Sequence, residues 1–228
     1  MISVVVPTYN EAGSVPILAE RLGRALAGRD YELVIVDDGS PDGTADLAAA
    51  LAPRLPVHVV RRAGKAGLAS AVLAGFAEAR GDTLVVMDAD LSHPPEIVPA
   101  LVAALEAGAD LAVGSRYVRG GATADWPLRR RIVSRAACLL GNLLVPVADA
   151  TSGFFALRRA TLAGVALNPI GFKIGFEVMA RTRARRVVEV PYTFRDRELG
   201  ASKFGRREIA QYLVQLGQVA RDKLLRRI

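Results

Sequence analysis

The feature that most restricts this chain is an alternation of short β-branched runs with segments of helical periodicity, repeated through its first 115 residues. Ile2–Val6 reads as a strand that stops at Pro7; Ser14 then offers an N-cap, and Ile17, Leu18, Leu22 and Leu26 recur at helical spacing. Further strands are expected at Tyr31–Val36, Val57–Val60, Thr83–Met87 and Leu111–Val113. Between them come a helix started by Asp42 or Thr44 and running to Leu51, and helices at Leu68–Ala79 and Pro94–Ala107. Strands separated by helices need crossover connections, so this order predicts an α/β fold with a mainly parallel central sheet. Such sheets bind ligands beyond the carboxyl ends of their strands. Chemistry is therefore expected near Pro7–Glu11, Asp37–Ser40 and Asp88–Ser92, and each of these segments is polar or acidic.

Past residue 115 the pattern loosens. Helices are expected at Leu128–Leu144, Phe176–Arg183 and Ile209–Ile228, and strands at Ser152–Leu157 and Val187–Val190. The last helix sets Ile209, Leu213, Leu216, Ala220 and Leu224 on one stripe, flanked by Arg206, Arg207, Arg221, Arg226 and Arg227. It is suited either to an anionic bilayer or to packing on the rest of the chain or a partner subunit. A length of 228 residues with 51% apolar and 23% charged residues suits one packed domain and excludes wholesale disorder. A single cysteine, Cys138, excludes an intramolecular disulfide, and two histidines leave little for a Cys/His zinc site. The N-terminal apolar run has no basic residue before it, and no uncharged apolar stretch reaches eighteen residues. The expectation is a cytoplasmic protein that does not itself span a membrane.

Charge is divided along the chain. Residues 1–115 carry 8 Lys/Arg against 15 Asp/Glu, whereas residues 116–228 carry 22 against 8. An acidic half can hold a cation, and a basic half can meet phosphates or an anionic membrane surface. All but four of the cations are arginine, the residue that matches phosphate oxygens in a planar fork. Zinc-finger and RNP-like segments are missing, so nucleic acid is not the expected polyanion.

Asp88-Ala89-Asp90 is the sharpest motif: two carboxylates flanking one residue at a strand end can converge on a hard divalent cation. Without a cation they would repel and raise one pKa. The plain alternative is a solvated acidic turn. Asp37–Gly43 can offer carboxylates to a base or ribose, although Asp42 reads as a turn or helix cap. In Pro7–Glu11, Tyr9 can stack on a base and Glu11 can bond a ribose or base edge; the segment lacks the glycines of a dinucleotide site and the lysine of a P-loop. Arg61, Arg62 and Lys65 form a basic glycine loop that meets either an anion or solvent. Arg130, Arg131, Ser134 and Arg135 share a helix, with Arg195, Arg197, Ser202 and Lys203 as a second basic group. His93, beside two prolines, and Cys138, in an apolar helix, read as structural; Trp126 is either an interface anchor or local packing.

Taken in order, VVVPTYNEA, VDDGSPDGT, DADLSHPPE, GSRY, W-x-x-x-R, DATSGFFAL, GFKIGFE and F-x-x-R-x-x-G-x-S-K resemble the family-2 glycosyltransferases. The closest likeness is to the dolichyl-phosphate (polyprenyl-phosphate) mannose synthases, over residues 2–205. The resemblance implies a glycosyltransferase-A, Rossmann-like catalytic domain over 1–205, followed by a basic amphipathic helix over 206–228. It implies inverting transfer of mannose from GDP-mannose to a polyprenyl or dolichyl phosphate, with Mg²⁺ or Mn²⁺. Carried over by position, Pro7, Tyr9, Glu11, Val36 and Asp38 hold the nucleoside. Asp88, Ala89 and Asp90 meet ribose, diphosphate and metal, with Ser92 as a third metal ligand. Arg116, Arg130, Ser134, Arg197 and Lys203 clasp the phosphates, and Lys173 and Glu177 lie near the sugar. Expected partners are the donor, the lipid phosphate, the cytoplasmic membrane face and a membrane-anchoring subunit. The rival readings are another donor, such as UDP-glucose, and a catalytically silent membrane-associated subunit.

Overall fold

The computed structural model describes residues 1–124, 126–168, 170, 173–182, 184–196 and 206–225, the side chains of 206–208 excepted. Strands β1 (Ile2–Thr8), β2 (Tyr31–Asp37), β3 (Val57–Arg61) and β4 (Thr83–Val86) alternate with helices α1 (Val15–Ala25), α2 (Thr44–Ala49) and α3 (Leu68–Glu78). A 3-10 turn at Pro95–Ile97 leads into α4 (Val98–Glu106), and β5 (Leu111–Ser115) follows. The second half holds β6 (Ala122–Thr123), α5 (Leu128–Asn142), β7 (Phe155–Arg158), α6 (Ile174–Arg181), β8 (Val187–Pro191), β9 (Thr193–Phe194) and α7 (Arg206–Leu224).

The main sheet has seven strands in the order β3-β2-β1-β4-β7-β5-β8, and β6 pairs with β9 in a small second sheet. Strand β1 pairs in parallel with β2 on one side and β4 on the other. The chain thus runs outward from β1 in both directions, which makes β1/β4 the switch point where α/β sheets bind ligands. The expected parallel sheet is present, with one departure: β7 runs antiparallel to both β4 and β5. A direction cannot be read from an apolar run, so the sequence gives no sign of this.

Burial on both faces explains the continuous apolar strands. Val4 and Val6 of β1, Leu33 and Ile35 of β2 and Val85 of β4 pack with α1 and α4, whereas Val5, Val34, Val36, Leu84 and Val86 pack with α3 and α6 on the other face. Gly75 lets α3 close on the sheet, since a Cβ there would overlap the Val5 side chain.

Two readings gain detail. Ser14 stands at the N-cap of α1, but its hydroxyl donates to Glu11 rather than accepting a helix N–H. On α7, the inward face is Tyr212, Gln215 and Val219, and the stripe read from spacing faces outward, with Ile209, Leu213, Ala220 and Leu224 exposed and Leu216 partly covered. Tyr212 crosses α5 at Gly141, where a Cβ would lie 2.5 Å from the phenol oxygen, and donates to Ala137 O at 3.0 Å. That close crossing accounts for a glycine inside α5.

Candidate active site

The carboxyl ends of β1, β2 and β4 form the acidic side. Asp37, buried, accepts hydrogen bonds from Thr8 Oγ1 and from the Ser40 N–H and hydroxyl, which ties the β1 and β2 ends together. The next three amides on β1's loop are held from the β2 loop: Asn10 N–H donates to Ser40 Oγ, Glu11 N–H to Thr44 Oγ1 and Ala12 N–H to Asp42 Oδ2. Asp42 is thus a brace between loops, and it also accepts the Thr44 N–H at the start of α2. This leaves Pro7, Tyr9 and Glu11 half-buried along the rim, with Lys65 Nζ 4.5 Å from the Tyr9 ring centroid. Asp38 shapes the basic glycine loop: its carboxylate accepts from Arg62 Nη1 at 2.6 Å and from the Ala66 and Gly67 N–H groups. Arg61 pairs with Asp46. Val36, one residue before the end of β2, has its side chain fully buried in the sheet face under α3.

Asp88 and Asp90 follow β4 at the switch point. Asp88 is 36% exposed at its side chain, and Asp90 is 7% exposed. Between Asp90 and Ser92, Leu91 adopts φ 63°, a left-handed conformation that costs a non-glycine residue about 1–2 kcal/mol. The bend turns Ser92 back so that its N–H (3.1 Å) and hydroxyl (2.6 Å) both donate to Asp90 Oδ1. Strain of this kind concentrates where structure holds a group for function. Among the described residues no three His, Cys, Asp or Glu side chains gather as a preformed cage. Two carboxylates and a hydroxyl form an all-oxygen set, which fits a small hard cation that keeps water and shares phosphate ligands.

His93 joins the acidic and basic sides. It is buried, stacks on Phe154 with centroids 4.9 Å apart, and its Nδ1 accepts the Asp88 N–H at 3.0 Å. Asp88 Oδ2 lies 3.8 Å from the same nitrogen, yet this is no ion pair. Nδ1 is already an acceptor, and burial holds the ring's pKa down against the pull of Asp88 and Asp90, so the ring is neutral. The same ring senses Arg116 and Asp149. Lys173 and Tyr192 likewise sense both Asp88 and Arg116. The acidic pair and the first arginine of the basic half therefore share one electrostatic neighbourhood.

On the basic side, Arg116 and Asp149 form a buried fork: Nε to Oδ2 at 2.7 Å and Nη2 to Oδ1 at 2.6 Å, with Thr151 Oγ1 on Nη2 at 2.8 Å. Burial opposes both charges, but their mutual hydrogen bonds and attraction outweigh it, raising the arginine pKa and holding the carboxyl below its usual range. Glu189 of β8 fixes the turn by accepting the Ala148 and Asp149 N–H groups. Because β7 is antiparallel, the Asp149–Phe154 segment before it arrives at the carboxyl ends of β4 and β5. Trp126 and Tyr117 lie 5.5 and 5.3 Å from the Arg116 guanidinium. Arg130 stacks over Trp126 at 3.9 Å, and Ser134 accepts the Tyr117 hydroxyl at 2.7 Å. Arg116, Arg130 and Ser134 are thereby grouped around two rings. Trp126, left open by its sequence, is buried packing.

Lys173 donates to Thr151 O at 2.9 Å, and burial, with Arg116 adding to it, lowers its ammonium to about 8. Glu177 is buried away from the rim, bound by Arg181, Gln215 and the Asn168 N–H, and so belongs to the α6–α7 packing. Cys138 is core, as expected. Arg197, Ser202 and Lys203 lie outside the described residues. Asp149, Thr151 and Asp196 were missed as site residues. The available signal was Arg116 itself, since a buried guanidinium requires a counter-ion.

The sequence profile described as glycosyl transferase family 2 matches residues 3–179. A dolichol-phosphate mannosyltransferase of Pyrococcus furiosus is 48% identical over 93% of this chain and 61% of its own length, so this chain spans about three fifths of that relative. A polyprenol monophosphomannose synthase of Mycolicibacterium smegmatis is 42% identical over 94% of this chain and 85% of its own. A dolichol-phosphate mannosyltransferase of Saccharomyces cerevisiae is 40% identical over 95% and 86%. Among solved structures, glucosyl-3-phosphoglycerate synthase from Mycobacterium tuberculosis, in complex with Mn²⁺, UDP-glucose and phosphoglyceric acid, superposes with a TM-score of 0.69 at 25% identity, over 95% of this chain and 80% of that one. The fold is the glycosyltransferase-A fold that the motifs implied. A buried histidine bonded to the first of two strand-end aspartates, with a phenylalanine ring between it and a buried arginine fork, stands in a chain that belongs to glycosyl transferase family 2.

Proposed function

We propose that this protein transfers mannose from GDP-mannose to a polyprenyl phosphate of the dolichyl type, inverting the anomeric centre, with Mg²⁺ or Mn²⁺. The observation that carries this reading is the contact of His93 with Asp88 at the end of β4 and, through Phe194, with the Arg116 guanidinium, in a chain similar to enzymes named for mannosyl transfer to lipid phosphates. Pro7, Tyr9, Glu11 and Asp38 hold the nucleoside, Asp38 by fixing the loop around it. Asp88 and Asp90 hold the cation, Ser92 bracing the latter. When bound, that ion neutralises charge on the departing diphosphate.

The acceptor is a phosphate monoester, already ionised near neutral pH, so no general base is required of the protein. Its oxygen attacks the anomeric carbon in line as the bond to GDP breaks. The chain's task is to bring two polyanions together. Arg116, fixed by Asp149, supplies a rigid positive field, and Arg130, Ser134, Arg197 and Lys203 receive the acceptor phosphate. Lys173, bonded to Thr151 O next to the Arg116 fork, adds charge there while it remains protonated, below pH about 8.

The reading includes peripheral attachment at the cytoplasmic membrane face. No helix among the described residues is long and apolar enough to cross a membrane. Helix α5 and its C-cap instead expose Leu128 (70%), Ile132 (60%), Leu139 (65%) and Leu143 (80%), interspersed with Arg129, Arg131 and Arg135 and with no acidic residue. Such a face suits an anionic bilayer. Radiolabelled transfer to a short polyprenyl phosphate, from GDP-mannose and from UDP-glucose in parallel, tests the function. Transfer from GDP-mannose is expected. Preference for UDP-glucose, or a folded protein that turns over neither donor, overturns it.

A further inference from the structure

The two arginines of the phosphate-binding group are held in different ways. Arg116 is 8% exposed and Asp149 is 0% exposed, and the pair is joined through two nitrogens to two oxygens. Arg130 is 35% exposed and Asp196 is 46% exposed. Arg130 offers one nitrogen, Nη1, to both oxygens of Asp196, at 2.7 and 2.8 Å. Trp126 supports both partners: its Nε1 donates to Asp196 Oδ1 at 3.1 Å, and its ring lies 3.9 Å beneath the Arg130 guanidinium. The first pair is a fixture. The second is a solvent-facing pair on a rigid aromatic platform, of the kind that contributes little to stability.

We infer that Asp196 is a placeholder for the acceptor phosphate, a carboxylate that keeps Arg130 aimed until a phosphate monoester displaces it. This rests on the proposed lipid-phosphate reading and deepens it. A monoester near neutral pH carries close to two charges and three acceptor oxygens, so it competes well against one carboxylate for a guanidinium. Glycosyl transfer turns that monoester into a diester with one charge. The product is a weaker competitor, and Asp196 can retake Arg130 as it leaves. Trp126 holds the guanidinium throughout, so the exchange needs only the Asp196 carboxylate to move. Asp196 is a positioning residue: it acts on the acceptor through Arg130.

Trp126 is the chain's single tryptophan and lies inside this arrangement, so its fluorescence reports the exchange directly. The full chain is titrated with a short polyprenyl phosphate, with the matching polyprenol and with inorganic phosphate. The lipid phosphate is expected to change the emission saturably, and the polyprenol is expected to leave it unchanged. A response to inorganic phosphate at comparable concentration assigns the exchange to the phosphate group alone. Asp196→Asn keeps the acceptor for the indole N–H and removes the competing charge. It is expected to tighten lipid-phosphate binding about two- to five-fold, the range of an exposed ion pair. The same variant should lower the acceptor KM, leave the GDP-mannose KM unchanged and increase inhibition by product. Asp196→Glu should restore parental values. Unchanged or weaker lipid-phosphate binding in Asp196→Asn overturns the placeholder role. If the parent transfers mannose while Asp196→Asn binds acceptor no tighter, only this inference fails. If binding depends on Asp196 as described but no mannose moves, only the transfer reading fails.

Discussion

Replacing Asp149 by alanine isolates the energetic weight of the buried fork. The substitution leaves Arg116 charged and enclosed, with two hydrogen bonds to Asp149 oxygens removed from its guanidinium and one from its backbone N–H. Breaking a buried pair by deleting one partner costs roughly 3–5 kcal/mol. For a chain of this length each kcal/mol moves Tm by about 2–4 °C, so the loss should be about 6–20 °C. Thermal and urea unfolding followed by circular dichroism at pH 7 measure it. The double variant Arg116→Met/Asp149→Leu removes both charges and should recover most of that loss, because apolar replacement of a buried pair is often near neutral. The pH dependence has a definite sign. Asp149 titrates below its unfolded value near 3.9, so its contribution is complete above that pH and fades as pH falls through the folded value. The gap between parent and Asp149→Ala should therefore be constant from pH 5 to 8 and shrink only in stronger acid. A Tm loss under about 3 °C, or a double variant less stable than either single one, would refute the reasoning.

Asp90→Ala should abolish transfer at every Mg²⁺ or Mn²⁺ concentration, and parental turnover in that variant removes Asp90 from metal binding. Lys173 titrates at about 8 when folded against roughly 10.4 unfolded, so the unfolded state holds the extra proton between those values and stability rises with pH across that window. Lys173→Met should therefore raise Tm more at pH 7 than at pH 10, and an equal gain at both contradicts the buried ammonium. The double variant Ile132→Glu/Leu139→Glu, on exposed positions of α5, should reduce flotation with phosphatidylglycerol vesicles at least several-fold with Tm unchanged; undiminished flotation rules out α5 as the contact.

Elements with strong local signals were legible. Val4–Val6 and Leu33–Val36 are apolar runs cut off by proline or by paired aspartates, and the structure places them as central strands with their polar ends at one rim. What escaped the sequence depends on distant partners. The direction of β7 is set by the slot between β4 and β5, and nothing local to Phe155–Arg158 encodes it. Spacing put Ile209, Leu213 and Leu224 on one stripe of α7 but left open what that stripe faces; Gly141 admits Tyr212, and with it Gln215 and Val219 face inward, so the stripe faces outward. Within the site, residue types singled out Asp88, Asp90 and Arg116, each just past the carboxyl end of its strand. Their supports, Asp149 for Arg116 and Asp196 for Arg130, lie 33 and 66 positions away.

The antiparallel strand also dictates how the molecule must assemble. Strands β1 to β4 can zip together as they emerge, each beside one already made. Strand β5 has no such neighbour: it touches only β7 and β8, and β7 begins about forty residues later. Closing so long an interval costs loop entropy before any pairing repays it. Two of the seven strands, β5 and β8, therefore join the rest of the sheet only through four residues, Phe155–Arg158, that act as a keystone. Pulse-labelled hydrogen exchange during refolding should show the amides of β5 and β8 gaining protection in the same late phase as those of β7, after β1 and β2.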